Sequence, residues 1–221
     1  MINILGDKNS LLNQFIAEIR DEKIQKDSLR FRRNLERIGE IFAYEISKIL
    51  EYREEEIKTP LGIANINTLK DKIVLAALLR SALPFHQGLL NYFDQAENAF
   101  ITAYRKYEKD GEFDMYLDYV SSPDIDKKVV IICDPLIATG SSVVMAYKAL
   151  MDEGRPKHTH IISIISAKEG INYVRKHLPM NKITLWTGAI DSELTVKSYI
   201  VPGLGDVGDL AFGEKSEPDI S

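Results

Sequence analysis

The sequence predicts an α/β fold, a mostly parallel sheet flanked by helices. Three observations carry that prediction. Residues 73–79, 129–133, 160–166 and 183–186 are short, largely apolar runs, 129–133 almost wholly β-branched, the pattern of strands covered on both faces. Segments with helical spacing lie between several of them. The run at 129–133 ends on an acid, Asp134, and passes through small and hydroxyl residues into an Ala-containing helical stretch, the order of a strand–loop–helix unit.

Taken in order, residues 8–28 carry Leu11, Leu12, Phe15, Ile16 and Ile19 at helix spacing, so residues 1–30 form a helical N-terminal extension. Residues 27–50 give the clearest helix: Leu35, Ile38, Phe42, Ile46 and Ile49 recur at three and four, while Arg32, Arg33, Glu36, Arg37 and Glu40 make a solvated face. A charge cluster comes next. The turn signal Thr59-Pro60-Leu61-Gly62 and the alternation over 62–66 predict a short hairpin. The strand at 73–79 ends at Arg80-Ser81-Ala82. Arg80 has two readings, a surface charge or a cation that meets phosphates. Residues 89–93 continue as a helix, and 100–104 form a strand ending in Arg105. Residues 106–128 are charged and then alternate weakly at Phe113, Met115, Leu117 and Tyr119, which predicts a flexible β-hairpin lid. After the strand at 129–133, a helix runs to Leu150 and stops at Asp152-Glu153-Gly154. Residues 160–166 are a strand, 169–177 a helix and 183–186 a strand. No repeat or linker divides the chain, so residues 1–221 read as one domain.

Bulk properties narrow the function. With 221 residues, 45% hydrophobic and 28% charged, the chain can bury a sizeable core. A net charge of -5 supplies no polyanion-binding field, which argues against nucleic acid. One cysteine excludes an intramolecular disulfide. No apolar stretch is long enough to span a membrane, and the first residues lack a signal-peptide pattern, so the expected setting is the cytoplasm.

Two loops carry the chemistry. In the first, Asp134-Pro135-Leu136-Ile137-Ala138-Thr139-Gly140-Ser141-Ser142, small residues at a helix start let free backbone N–H groups approach a phosphate. The hydroxyls of Thr139, Ser141 and Ser142 add donors. Asp134 would repel phosphate, so a sugar hydroxyl is its natural partner. The plainer reading is an N-capped βα turn. Neither G-x-x-x-x-G-K-[ST] nor G-x-G-x-x-G occurs at this turn. In the second loop, Tyr199-Ile200-Val201-Pro202-Gly203-Leu204-Gly205-Asp206-Val207-Gly208-Asp209, glycines and a proline allow tight geometry that can turn backbone groups towards a planar base. The alternative is a loop that merely caps the sheet. The 4 histidines show no metal-ligand spacing, and Cys133 reads as an inert buried thiol.

Together these loops resemble the phosphoribosyl pyrophosphate and uracil loops of the uracil phosphoribosyltransferases, within the type I phosphoribosyltransferases. The likeness extends from Phe31 to Lys215, with echoes at Thr59-Pro60-Leu61-Gly62, Leu79-Arg80, Tyr104-Arg105, Lys168-Glu169-Gly170 and Ala189-Ile190-Asp191. It implies the reaction of uracil with phosphoribosyl pyrophosphate to give UMP and diphosphate. It implies donor binding by Arg80, Arg105, Asp134, Pro135, Leu136, Ile137, Ala138, Thr139, Gly140, Ser141, Ser142 and Asp206. Uracil would be read by the backbone at Ile200, Gly205, Asp206 and Val207, with Asp206 and Arg105 catalytic. Mg2+ would travel on the diphosphate without a protein ligand set, and the protein would be a homo-oligomer, dimer or tetramer. The tail, 216–221, lies past the usual end and is expected to be disordered. Departures from the resemblance are Ser141 for a glycine, Val207 for an alanine and Leu210 for a basic residue. They keep two other readings open: a non-catalytic nucleotide sensor, and a transferase for a different pyrimidine base.

Overall fold

The computed structural model describes residues 2–107 and 113–214, with the backbone alone for 104–107 and 113–116. It begins with a short strand β1 (Ile2–Ile4), helix α1 (Leu11–Arg20) and the long helix α2 (Ser28–Ser47). Strands β2 (Tyr52–Thr59) and β3 (Gly62–Leu69) precede β4 (Ile73–Leu79) and α3 (Leu83–Tyr92). Then come β5 (Glu97–Tyr107), β6 (Phe113–Ser121), β7 (Val129–Cys133), the two-residue β8 (Leu136–Ile137) and α4 (Ser141–Leu150). The chain closes with β9 (His158–Ala167), α5 (Lys168–His177), β10 (Ile183–Asp191), β11 (Glu193–Leu194), β12 (Ile200–Val201) and α6 (Val207–Phe212).

Eight strands make one sheet in the order β1-β10-β9-β7-β4-β5-β6, with β8 also paired to β9. Every neighbour is parallel except β6, which runs antiparallel to β5. The predicted mostly parallel sheet flanked by helices is therefore the fold. Its central strands are apolar throughout because both faces are covered, and the period of two sorts their side chains cleanly. Ile73, Leu75 and Ala77 of β4, with Val129, Ile131 and Cys133 of β7, join the cluster under α1, α2 and α3. Val74, Ala76 and Leu78, with Val130 and Ile132, join the cluster under α4 and α5. Phe42 of α2 and Phe85 of α3 meet edge-to-face at 5.3 Å, an arrangement worth about 1 kcal/mol beyond area burial.

Several elements depart from the sequence expectation. The unpredicted β1 adds an edge strand parallel to β10, too short for any periodicity to show. The predicted short hairpin is two full eight-residue strands paired from Tyr52↔Leu69 to Thr59↔Gly62. The charge cluster hides β2 because both faces of this hairpin are largely solvated. Helix α3 starts earlier than predicted, with Pro84 in its first turn. β5 pairs with β6 through a register shift at Thr102/Ala103, whereas the end of the predicted lid segment, residues 122–128, is irregular chain leading into β7. The tip of that expected lid, 108–112, and the expected tail, 216–221, lie outside the described residues.

The histidines on β9 are structural, as their spacing suggests. Trp186 Nε1 donates to His160 Nδ1 at 3.1 Å, and burial lowers the His160 pKa to about 3. Cys133 is fully buried, its Sγ donates to the Ala76 carbonyl at 3.3 Å, and burial, reinforced by Asp134, pushes its pKa up.

Candidate active site

In a parallel sheet all carboxyl ends of strands lie on one edge, the edge where open α/β sheets bind ligands. Here that edge presents Asp191 at the end of β10, Asp134 after β7 and Arg80 after β4. The backbone of Arg105 continues β5 beyond its pairing with β4, and its side chain lies outside the described residues. The peptide bonds Leu79-Arg80 and Val201-Pro202 are cis.

The first loop is shaped by its own neighbourhood in the chain. After β7, the Pro135 carbonyl accepts from Ile164 and Ile165 of β9 at 2.9 and 3.1 Å, and Leu136–Ile137 pairs with β9 as β8. Ala138 and Thr139 then turn into α4 through Gly140, whose φ of 83° is left-handed. A Cβ there would also lie 2.6 Å from the Gly170 carbonyl of α5, so no larger residue fits without moving backbone. The first N–H groups of the 10-residue α4 have no intrahelical acceptor, and they look into this loop. Thr139 Oγ1 and Ser141 Oγ lie 2.9 Å apart and bond each other, while Ser142 Oγ donates to Asp134 Oδ2 at 3.4 Å. Asp134 is 8% exposed. Burial raises its pKa to about 7 against weak hydrogen bonds from the Leu136 amide and Ser142.

The second loop is not the bare loop expected. Its start, Ile200, pairs in β12 with Leu194 of β11. Its end forms α6, so Val207 and Asp209 are helical. Asp206 is the N-cap: its Oδ1 accepts from the Asp209 amide at 3.0 Å. Val207, which departs from the family's alanine, buries its side chain with Ile200, Leu204 and Ala211 in the cluster under α1 and α2. Gly205 keeps the positive φ, 96°, that the glycine-rich sequence suggested.

Arg80, just after β4, is tied to the second loop and its helix. Its Nη2 donates to Asp209 Oδ1 and to the Gly213 carbonyl, both at 2.9 Å. Its Nε is buried without an acceptor among the described residues. Arg80 Nε and Asp206 Oδ1 lie 3.7 and 3.2 Å from where a Gly208 Cβ would stand, so cation and carboxylate converge on one point. The two loops reach the carboxyl edge from opposite faces: α4 packs in one apolar cluster and the second loop in the other.

With this geometry in place, the sequence profile described as uracil phosphoribosyltransferase matches residues 7–214. The chain belongs to the uracil phosphoribosyltransferase family. It is 56% identical to a uracil phosphoribosyltransferase of Porphyromonas gingivalis over 96% of this chain and 97% of that protein. It is 38% identical to one of Methanothermobacter thermautotrophicus, over 95% and 94% of the two chains. Among solved structures, a protein of Aquifex aeolicus superposes with a TM-score of 0.85 at 28% identity, covering 96% of this chain and 98% of its own.

Beside the residues that carry the likeness to the uracil phosphoribosyltransferases, the edge holds two arginines that sequence reasoning misses. Arg20 forks onto both Asp191 oxygens at 2.8 Å and donates to the Gly203 carbonyl at 2.9 Å. Arg32 of α2 reaches the Ala211 carbonyl. Both arginines lie on helices whose sequence shows only an amphipathic pattern, and nothing local marks them. Asp191 stands in the resemblance as an echo without a role. No helix among the described residues is long and apolar enough to cross a membrane.

Proposed function

We propose that the chain transfers a phosphoribosyl group from phosphoribosyl pyrophosphate to uracil, giving UMP and diphosphate. The observation that supports the reading is that Arg80 and Asp206 converge beside Gly208 at the same carboxyl edge of the sheet from which α4 starts. The 5′-phosphate would sit on the backbone of Ala138, Thr139, Gly140, Ser141 and Ser142, where amides and the positive helix end favour an anion. Pro135, Leu136 and Ile137 hold that backbone to β9. Ionised Asp134 would accept from ribose hydroxyls, trading its weak 3.4 Å partners for better ones. Uracil would lie against the backbone of Ile200, Gly205, Asp206 and Val207.

In the reaction the bond from the sugar carbon to the diphosphate oxygen breaks, a bond to a uracil ring nitrogen forms, and the ring N–H proton is lost. Charge moves onto the leaving diphosphate, so fixed cations matter most there. Arg80 suits that task because its buried Nε is an unmet donor, a state that costs about 1–3 kcal/mol until an acceptor arrives. Arg105 would act beside it, and Asp206 would touch both substrates. Mg2+ would come bound to the diphosphate, since it favours phosphate oxygens and waters. Among the described residues no group of three His, Cys, Asp or Glu converges to cage a metal, and no step is assigned to the ion.

We place the reaction in the cytoplasm, because the multiply charged donor does not cross lipid unaided. The working unit we propose is a homo-oligomer, dimer or tetramer. The β2–β3 hairpin supports this by exposing Leu61, Ile63 and Ile66 beyond the sheet, apolar surface that a second copy would cover. The deciding experiment is UMP formation from uracil, phosphoribosyl pyrophosphate and Mg2+. Turnover at an ordinary enzymatic rate is expected. Tight nucleotide binding without turnover would overturn the reading.

A further inference from the structure

The least expected feature of the carboxyl edge is how Gly203 is held. Its N–H donates to Asp191 Oδ2 at 2.9 Å, and its C=O accepts from Arg20 Nη1 at 2.9 Å. Arg20 and Asp191 are themselves joined by two parallel bonds of 2.8 Å. One ion pair therefore grips both polar groups of a single residue in the base loop. Gly203 has a φ of 56°, and a Cβ there would lie 2.1 Å from the Ile200 carbonyl. The turn is tight enough for a small rotation at Gly203 to move the backbone at Gly205, two residues further along the loop, while the Asp206 side chain stays tied to the Asp209 amide.

The grip is itself anchored. Asp191 ends β10 and is 7% exposed, so it moves with the sheet. Arg20 is the last residue of α1, and α1 is fastened to α2 through Glu18. That carboxylate accepts from Arg30 Nε and Nη2 at 3.0 Å and from Asn34 Nδ2 at 2.7 Å. These bonds lower the Glu18 pKa to about 2, led by Arg30 and then Asn34. Burial pushes the Asp191 carboxyl up, but the Arg20 guanidinium and the Gly203 amide outweigh it and keep its pKa low. A planar guanidinium suits the junction because it can fork onto a carboxylate and still donate to a carbonyl; an ammonium cannot hold that geometry.

We propose that Arg20 and Asp191 are positioning residues that set the base loop for uracil, which makes the N-terminal helix α1 part of the active site rather than an appendage. The proposal rests on the transferase reading above. Neither residue touches the reacting atoms; both act through the Gly203 peptide. Displacing a binding backbone by a fraction of an ångström raises the demand for uracil and leaves the phosphate loop alone.

Two measurements on the full-length protein test it. In steady-state kinetics, Arg20→Ala and Asp191→Asn each lower kcat/KM for uracil about 10- to 100-fold, while KM for the donor stays within about twofold. Arg20→Lys keeps a charge without the fork and falls between wild type and Arg20→Ala. The double variant is no worse than the worse single one, because the pair acts as a unit. Equal losses for both substrates, or additive losses, would overturn the proposal. The second measurement needs no activity: amide hydrogen exchange of Gly203. Protection at Gly203 drops about tenfold or more in Arg20→Lys, with β7 and β9 amides unchanged. Unchanged protection at Gly203 sinks the proposal even if the wild type makes no UMP, which would sink the transferase reading instead.

Discussion

The two loops at the carboxyl edge of the sheet are held by opposite means. The proposed donor loop, Asp134 to Ser142, is held by backbone: a two-residue strand on β9, the Pro135 carbonyl taking two amides, and Gly140 seated against Gly170. The proposed base loop is held mainly by side chains from afar. Arg20 reaches Gly203 across 183 residues, Arg32 reaches Ala211 across 179 and Arg80 reaches Asp209 across 129. A backbone-built loop has one conformation its own chain allows. A side-chain-held loop depends on how the surrounding helices dock. The donor loop should therefore break through changes within it, and the base loop also through changes far along the chain.

The largest expected effect is in the second loop. Asp206→Ala should lower turnover about 10³-fold or more, as loss of a group central to the transition state does. It also removes the α6 cap, a loss of about 1 kcal/mol, so circular dichroism should still report a folded protein. Near-normal turnover would remove Asp206 from the site. Next comes Gly140→Ala. A left-handed alanine costs about 1–2 kcal/mol before the clash with Gly170 is counted, and the displaced amides should cost about 100-fold in kcat/KM for the donor. Steady-state kinetics with each substrate varied checks this, and a loss confined to uracil would contradict the separation of the two loops.

A smaller effect concerns protons. Burial raises the Asp134 pKa to about 7, so the folded protein holds this proton more tightly than the unfolded chain. Stability from this group therefore falls as pH rises from about 4 to about 7, then levels off. Ribose hydroxyls stabilise the ionised form, so donor binding at pH 7 should release about half a proton. Calorimetry in two buffers of different ionisation enthalpy measures the release, and Asp134→Asn should abolish it. The smallest effect is Ser141→Gly. It removes the 2.9 Å bond to Thr139 and restores flexibility beside Gly140, so donor KM should change by no more than about threefold, or ~0.7 kcal/mol. A larger change would make the Thr139–Ser141 hydroxyl pair a binding element in its own right.

The same contrast explains what is legible in the sequence. Residues 73–79 and 129–133 announce central strands because their apolar content is continuous, and the donor loop is legible because strand, acid, small residues and helix are adjacent. The β2–β3 hairpin reads too short because its strands face water on both sides and carry no buried period. Helix α6 escapes notice because six residues with glycine and aspartate have little propensity of their own. It stands because Asp206 caps it and Val207 and Ala211 are buried beneath it. For Val207 the sequence shows that the position is bulkier than the alanine of the resemblance and not which way it points.

Sequence alone determined the sheet, its central strands, the strand–small-residue loop–helix unit after β7 and, through the paired loops, the resemblance to a family. Those properties depend on local composition and spacing, which act over a few residues. Only the tertiary structure decided that Arg80 lies by Asp209 and Asp206, that Asp134 is buried enough to hold its proton near neutrality, and that Arg20 and Asp191 close on Gly203. Each depends on burial or on contacts between segments more than a hundred residues apart, or on both, and these exist only once both faces of the sheet have been packed.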